Sequence, residues 1–437
     1  MRRAGLAVIA AGFLALAGGW GQPAPDTGPA SARPVATPAA DPKPKTTVTD
    51  LARAFLELEA AFFAAPVEKE LCREVNIAFD DASKLFFAGD LARVVEIVKA
   101  QTARLFAAGQ LDPDVLHGPR EASALDGGAT PRALDEAPIN VDDLFSETRS
   151  DGLIARVQWP AQSEQVWRER RSLLSRAETP GSLESMLFNA RFLRTELIAE
   201  YRNARDGMNP YTNHRGDIWR PYFIAEQPAP MRLFCPEHRE PPAAGWPLVI
   251  ALHGAGGNEH MFMAAYGAGR IKHLAETHNF IVVSPLNSPL AAQPMVFDAL
   301  VESIALDYPI DRTRVHLIGH SMGAGVALAW SKMRHEQVAA SALIAGVGRF
   351  NPKDTVPPTL LIAPELDGLI PAKSILAAAA QAQAAGLPVE CREIRDYGHT
   401  LVVGHVLPEV VDWLLRQNPA AKPAGTAPES SKKEPKP

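Results

Sequence analysis

The chain has 437 residues, which is enough for two or three domains. Hydrophobic residues make up 46% of it and charged residues 22%, a balance typical of a folded globular protein and not of a disordered one. The formal net charge is −6, and no Lys/Arg cluster with interleaved aromatic residues occurs. Both features argue against a nucleic-acid-binding surface.

Residues 1–21 have the composition of a secretory signal peptide. Two arginines precede an apolar run from Ala4 to Leu16, and small residues follow, with Gly19 or Gly21 as possible ends of the signal. This run is shorter than the roughly 20 apolar residues that a membrane-spanning helix needs, so cleavage is favoured over anchoring. We therefore expect a secreted or periplasmic protein without an integral membrane segment. Its oligomeric state is left open.

Composition separates two further segments from the folded part of the chain. Residues 22–46 form a Pro/Ala-rich linker, and residues 419–437 form a tail with the composition of a disordered segment. Only three cysteines occur, too few and too scattered for a disulfide framework or a zinc site. One bridge, Cys235–Cys391, is conceivable.

Residues 47–207 have a helical pattern. Thr47 and Asp50 resemble an N-cap pair, after which apolar residues recur at helical spacing. A long loop is expected near residues 109–150, which are rich in Asp, Gly and Pro. Five helices are predicted. The first starts near Thr47, the second covers about Glu68–Ala88, and the third starts at Leu91. The last two cover Ser163–Arg176 and Ser182–Ala204.

Residues 209–418 alternate short β-rich runs with helical segments. The predicted strands are Arg220–Ala225, Met231–Cys235, Pro247–Leu252, Phe280–Ser284, Val315–Gly319, Ala340–Ala345, Thr359–Ala363 and Val389–Ile394. The predicted helices are Glu259–His278, Val296–Asp307, Ser321–Arg334, Ala372–Ala385 and His405–Arg416. This alternation predicts a mostly parallel, doubly wound α/β sheet, with the first two strands as an antiparallel edge.

A G-x-S-x-G pentapeptide at residues 319–323 lies between a predicted strand and a predicted helix. In that context the motif predicts a nucleophile elbow, a sharp turn that exposes the hydroxyl of Ser321. Glycines are needed at both ends because the strand and the helix pass too close for a Cβ. Ser321 is therefore the candidate nucleophile.

A serine hydroxyl needs a base, and the base needs an acid that orients it. Asp367 follows the strand that ends at residue 363, and His399 follows the last strand, so the chain order Ser, Asp, His is that of an α/β-hydrolase. Glu365 is the rival acid, and His405 is the alternative base.

The loop after the first parallel strand is rich in glycine, as an oxyanion hole requires. We predict the backbone N–H groups of Ala255 and Met322 as donors, with Gly256 beside them. His253 and His320 are expected to be scaffold residues, and Asp298 a helix cap. No cofactor and no metal ligand set is predicted.

Several segments together resemble secreted bacterial α/β-hydrolases. They are residues 216–222, 247–257, 311–315 and 319–325. The most similar groups are the polyhydroxybutyrate depolymerase-like and feruloyl-esterase-like enzymes and the prolyl-oligopeptidase-like or dienelactone-hydrolase-like domains. The similarity covers about residues 209–418 and implies Ser321, Asp367 and His399 as the triad. It implies nothing about residues 47–207.

Only about 13 residues separate the strand that ends near Ala345 from the strand that starts at Thr359. Many α/β-hydrolases insert a lid at this point, and this chain has no room for one. We therefore expect a pocket that is open on that side, unless the N-terminal helices cover it.

The expected activity is hydrolysis of carboxylic esters through an acyl-enzyme on Ser321. A serine peptidase or amidase of the same fold is the first alternative, since its reaction passes through the same kind of tetrahedral intermediate. A non-catalytic binding protein on a hydrolase scaffold is the second alternative, and the presence of all three triad residues argues against it.

Overall fold

The structure is a computed structural model that describes residues 46–64, 66–109, 141–146, 149–160, 162–187, 189–346 and 348–417. The predicted signal peptide, all but one residue of the predicted linker and the predicted tail lie outside the described residues. Most of the predicted loop near residues 109–150 also lies outside them.

Seven α-helices precede the sheet in the described part of the chain. Thr47 and Asp50 form the expected cap, with the Asp50 N–H donating to Thr47 Oγ1 at 3.1 Å and the Thr47 N–H to Asp50 Oδ2 at 2.8 Å. The helices are α1 (Val48–Ala64), α2 (Lys69–Phe87), α3 (Leu91–Gly109), α4 (Ser150–Ile154), α5 (Ser163–Ala177), α6 (Leu183–Leu187) and α7 (Ala190–Arg205).

The N-terminal helices differ from the prediction in two places. The predicted helix Ser182–Ala204 is two helices, because the side chain of Asn189 accepts hydrogen bonds from the N–H groups of Arg191 and Phe192 and starts α7 anew. The predicted long loop contains a short 3₁₀ helix, Val141–Phe145, and reaches only to Arg149, where α4 follows.

An eight-stranded sheet forms the centre of the structure. Its strands are β1 (Gly216–Ile224), β2 (Gln227–Cys235), β3 (Trp246–Leu252), β4 (Ile281–Pro285), β5 (Ile310–His320), β6 (Val338–Ile344), β7 (Thr359–Pro364) and β8 (Val389–Ile394). They lie in the order β1-β2-β4-β3-β5-β6-β7-β8. β2 pairs antiparallel with β1 and β4, and every other pair is parallel. The predicted mostly parallel sheet with an antiparallel edge is confirmed.

Helices cover both faces of the sheet. They are α8 (Arg270–His278), α9 (Pro294–Asp307), α10 (Met322–Met333), α11 (Ala372–Ala384) and α12 (Val402–Arg416). Alternate residues of β3 show the two-residue period, since Leu248 and Ile250 pack with α9, α10 and α11, whereas Val249 and Ala251 pack with α8 and α12. The sheet is thus doubly wound.

The predicted continuous helix Glu259–His278 is wrong. A π-helical turn (Met261–Ala265) and a 3₁₀ turn (Tyr266–Gly269) precede α8, and Gly267, Ala268 and Gly269 have left-handed φ values of 59°, 56° and 75°. The kinked segment is held by neighbouring elements. Buried Glu59 of α1 accepts a 2.9 Å hydrogen bond from the Gly267 N–H, and a Cβ on Gly267 would lie 3.0 Å from the Gly404 Cα.

The structure also decides three smaller points. Cys235 and Cys391 are free, and six strand spacings of about 4.8 Å separate β2 from β8, so they cannot be bridged. Asp298 is not a helix cap, because it forms an ion pair with Arg334 at 2.6 Å inside α9. His405 lies in the first turn of α12, which begins three residues earlier than predicted.

No helix of the described residues combines the length and the apolar character that crossing a membrane requires.

β3, β5 and α10 cross very closely. A Cβ on Gly319 would lie 2.4 Å from the Gly323 carbonyl oxygen, and a Cβ on Gly323 would lie 2.1 Å from the Leu252 carbonyl oxygen. Both distances are impossible for real atoms, so the expected reason for the two glycines of the pentapeptide is confirmed. The crossing sets where α10 begins relative to the ends of the two strands.

Gly323→Ala is predicted to destabilise the protein by about 3 kcal/mol, because the methyl group overlaps backbone that cannot move aside. Gly325→Ala, two residues along α10, is the matched control, since nothing lies within 4 Å of the added Cβ. A helix-interior Gly→Ala change should stabilise by up to about 1 kcal/mol. Thermal and urea unfolding measure both variants, and equal stability of the two would contradict the prediction.

Candidate active site

Ser321 lies between β5 and α10 in a backbone conformation that non-glycine residues avoid, with φ 54° and ψ −116°. Its N–H donates to the Ile344 carbonyl of β6 at 2.9 Å, which holds the turn against the neighbouring strand. Strain at a single residue persists only where the surroundings enforce it, and such residues cluster at functional sites. The elbow predicted from the sequence is present in the structure.

The glycine-rich loop after β3 lies against the elbow. A Cβ on Gly254 would lie 3.3 Å from the Ser321 Cβ, so the two backbones approach each other there. Within the described residues, neither the N–H of Ala255 nor that of Met322 donates to a protein acceptor. Gly256 is the exposed residue of this loop and has a left-handed φ of 77°. Two predicted donors are thus available near the serine.

Asp367 and His399 are joined by a hydrogen bond. The Nδ1 atom of His399 lies 2.9 Å from Asp367 Oδ2, and both residues are less than 10% exposed. The other carboxylate oxygen of Asp367 accepts from the N–H groups of Leu369 and Ile370 at 2.9 and 2.7 Å, which fixes its plane. With Nδ1–H donating to the carboxylate, Nε2 of His399 carries the lone pair that a general base uses.

The rival acid and the alternative base are engaged elsewhere. Glu365 forms an exposed pair with Arg73 at 3.4 Å and accepts the Asp396 N–H at 2.9 Å. His405 stacks on the ring of Tyr397 with a centroid distance of 4.1 Å. Neither takes part in the Asp367–His399 pair.

His320 holds the backbone of His399 in place. Its Nε2 atom lies 3.0 Å from the His399 carbonyl oxygen, and its Nδ1 atom accepts from the Tyr266 hydroxyl at 2.8 Å. The two imidazole rings are 4.9 Å apart. Burial lowers the pKa of His320 well below its usual range, so it acts as a neutral spacer between the elbow and the His399 loop.

His253 fixes the loop after β3 in a similar way. The Asn287 N–H donates to its Nε2 atom at 3.1 Å, and the His253 N–H donates to Asn287 Oδ1 at 2.9 Å. Burial lowers the pKa of His253 to about 4, so this ring is also neutral near pH 7. Both histidines have the scaffold contacts expected from the sequence.

The Ser321 hydroxyl makes no hydrogen bond to another group of the described residues. The structure therefore joins Asp367 with His399 and brings the His399 backbone against His320, the residue before Ser321. Hydrogen bonds between nucleophile and base are often long without substrate and shorten in the reacting complex. The arrangement has the parts of a serine-based acyl-transfer site.

Sequence reasoning missed the contribution of α2. Asn76 Oδ1 accepts the Gly398 N–H at 2.8 Å, and the Asp80 carboxylate accepts the N–H groups of Gly368 and His399 at 2.8 and 3.0 Å. Asn76 and Asp80 are 1% and 2% exposed. Two polar residues four apart, each next to an apolar residue of the buried face, were the available signal in the sequence.

Strand order and elbow together define a protein of the α/β-hydrolase fold. No protein-family model matches the chain, and no curated protein matches it in sequence. Solved structures similar to it include a thermostable esterase, with 20% identity over 46% of this chain and a TM-score of 0.39. That match spans 63% of the esterase chain, less than two thirds of its length.

Two further solved structures are similar over nearly their whole length. The fluorophosphonate-binding serine hydrolase F of Staphylococcus aureus has 13% identity and a TM-score of 0.40, over 46% of this chain and 97% of its own. An S-formylglutathione hydrolase from Agrobacterium tumefaciens has 13% identity and a TM-score of 0.37, over 47% and 98%. The fold assignment of this chain rests on its own strand order and elbow.

Asp367→Asn is predicted to lower kcat by about 10³–10⁴-fold on any substrate that the site turns over, because an amide cannot keep His399 in the right tautomer. Glu365→Gln is the matched control and should change kcat by less than about 3-fold, since it removes an exposed ion pair and its amide oxygen can still accept the Asp396 N–H. Steady-state kinetics of both variants test the assignment. A severe loss in Glu365→Gln with an active Asp367→Asn would make Glu365 the acid.

Proposed function

We propose that this chain is a serine hydrolase that cleaves carboxylic esters through an acyl-enzyme on Ser321. The observation that carries the proposal is the buried Asp367–His399 hydrogen bond, located beside a strained serine at the carboxyl edge of the sheet. Parallel strands place their following loops at one edge, where the substrate sites of open α/β sheets lie. Asp367, His399 and Ser321 come from three such loops.

His399 is the general base in this mechanism. Its Nε2 atom takes the proton of the Ser321 hydroxyl as the oxygen attacks the ester carbonyl carbon. The same proton is then given to the departing alkoxide, which leaves as the alcohol. Water, deprotonated by His399, attacks the acyl-enzyme and releases the carboxylic acid and free Ser321. Asp367 stabilises the imidazolium in both steps.

The oxyanion of each tetrahedral intermediate needs donors that are already in place. The backbone N–H groups of Met322 and Ala255 are proposed for this role, with Gly256 beside them. Support comes from their lack of protein acceptors and from the anchoring of the loop by His253 and Asn287. Donors that need not reorganise stabilise developing charge most effectively.

Two observations support the proposed substrate class, the short β6–β7 connection and the resemblance given by the sequence. Residues 345–358, which connect β6 to β7, contain no helix or strand in their described part, as expected for a hydrolase without a lid there. The resemblance to polyhydroxybutyrate depolymerase-like and feruloyl-esterase-like enzymes supports small or polymeric carboxylic esters as substrates.

Hydrolysis of short-chain and medium-chain p-nitrophenyl esters by the wild type tests the proposal, with Ser321→Ala beside it. We expect measurable turnover that falls by at least about 10⁴-fold in the variant, because the nucleophile is gone. A fluorophosphonate probe should label the wild type and leave Ser321→Ala unlabelled. The matching p-nitroanilides separate an esterase from an amidase.

Three results would contradict the proposal. Equal ester hydrolysis by Ser321→Ala would show that another group reacts. A folded wild type that neither hydrolyses esters nor reacts with the probe would favour a non-catalytic role. Faster turnover of anilides than of esters would make the chain an amidase of the same mechanism.

We also propose that the chain is exported, on the basis of its signal-like N-terminus, which lies outside the described residues. Expression of the full chain in a bacterium should give a mature protein that starts just after Gly19 or Gly21. Amino-terminal sequencing of the periplasmic and medium fractions measures this. Recovery of uncleaved protein from the cytoplasm alone would refute export.

A further inference from the structure

A row of four side chains along α2 faces the two loops that carry Asp367 and His399. Its members are four residues apart, a spacing that puts side chains one above another on a helix. Cys72 Sγ lies 3.6 Å from the Asp396 carbonyl oxygen, and Asn76 and Asp80 accept backbone N–H groups of the same loop. The row is Cys72, Asn76, Asp80 and Lys84. Three successive members of the row therefore contact the backbone of the His399 loop, at residues 396, 398 and 399.

The Asp80 carboxylate joins the acid loop to the base loop. Both of its oxygens accept the N–H of His399 at 3.0 Å, and Oδ2 also accepts the N–H of Gly368 at 2.8 Å. One of these amides belongs to His399 itself, and the other belongs to the residue after Asp367. A single buried group thus sets the separation of the two chain segments whose side chains must meet.

Two glycines permit this close approach. A Cβ on Gly398 would lie 2.8 Å from Asp80 Oδ2, and a Cβ on Gly368 would lie 3.0 Å from Lys84 Nζ. Neither glycine has a positive φ that would itself require glycine. Packing of α2 onto the His399 loop is therefore a physical reason for glycine at position 398, whereas the exposed, flexible Lys84 side chain could move away from a Cβ on Gly368.

The end of α2 also reaches the third loop of the site. A Cβ on Gly256 would lie 2.5 Å from the ring of Phe86, so that ring lies directly over the predicted oxyanion loop. The helix thus contacts the loops of the acid, of the base and of the oxyanion donors. A helix that only anchored the N-terminal region to the sheet would not need contacts at all three.

Burial of Asp80 has an electrostatic consequence. Burial raises the pKa of Asp80 to about 6, although hydrogen bonds from Gly368 and His399 favour the ionised form. The ionisable groups that face it are His399, Asp367 and, from its own helix, Lys84. Near pH 7 its carboxylate is thus mostly ionised and holds its backbone donors by charge-assisted hydrogen bonds.

We propose that Asp80 is a positioning residue for the reaction proposed above, holding the loops of Asp367 and His399 at the separation that their hydrogen bond requires, with Asn76 supporting it. The inference rests on the proposed function of Ser321. The region before the sheet then supplies part of the active-site architecture. The hydrolase domain alone lacks the acceptor that its two catalytic loops share.

Asp80→Asn in the full chain tests this role, because the variant has almost the same size and turns one acceptor oxygen into a donor that faces N–H groups. Asp81→Asn is the matched control, since Asp81 is an exposed neighbour on α2 that pairs with Lys84 at 2.9 Å. The readouts are KM and kcat on p-nitrophenyl esters, with kcat expressed per active site titrated with a fluorophosphonate.

Asp80→Asn is expected to lower kcat per titrated site by about 10–100-fold, as small misplacements of reacting groups do, with KM changed by less than 2-fold. Asp81→Asn should match the wild type in both constants. A purely structural role would lower the titratable fraction and leave kcat per site unchanged. That result, or an equal loss of kcat in both variants, would overturn the proposal.

A second readout needs no substrate. An imidazole Nδ1–H that donates to a carboxylate gives a proton resonance far downfield, which can be assigned to His399 by its absence in His399→Gln. The resonance should shift or broaden in Asp80→Asn and not in Asp81→Asn, and an unchanged resonance would overturn the proposal.

Failure of the proposed function gives a different result from failure of the positioning role. A wild type that is inactive and unlabelled, but whose resonance responds to Asp80→Asn, would refute esterase activity and still support the role of Asp80 in holding the pair. If the wild type is active, and Asp80→Asn changes neither kcat nor the resonance, the positioning role alone is refuted.

Discussion

The close crossing of β3, β5 and α10 is the constraint on which the rest of the site depends. The backbone at Gly323 touches the Leu252 carbonyl, so α10 starts directly at the ends of two neighbouring strands. This contact forces Ser321 into its strained turn, and it brings the loop after β3 against the serine. The candidate nucleophile Ser321 and the proposed oxyanion donors are adjacent because of one steric requirement.

Around that crossing, the buried neutral rings of His253 and His320 fix the backbone close to His399, the candidate base. Burial lowers the pKa of both His253 and His320, and both nitrogens of each ring are hydrogen-bonded to neighbouring groups. His399 differs because, among the described residues, only its Nδ1 atom has a hydrogen-bond partner, Asp367. Rigid neutral rings can fix backbone positions without adding charge to a low-dielectric site.

Local pattern was sufficient for the sheet and for the strained turn at Ser321. Buried strands show as continuous apolar runs, and an elbow shows as a glycine-flanked serine between a strand and a helix, so both can be predicted from a few neighbouring residues. The helix over residues 259–278 was wrong for the opposite reason. Glu59 and Gly404, distant in sequence, break it by packing against Gly267.

The sequence by itself determined the doubly wound sheet, the elbow at Ser321 and the order of Ser321, Asp367 and His399, because these depend on local periodicity and turn chemistry. Only the tertiary structure decided that Asp367 and not Glu365 meets His399, and that Asp80 of α2 lies on both loops. Those choices depend on contacts between residues that are 32 positions apart for Asp367 and His399, and 288 and 319 positions apart for Asp80 and the two loops. Side-chain directions at such contacts follow from how the elements pack, and no pattern within one segment specifies them.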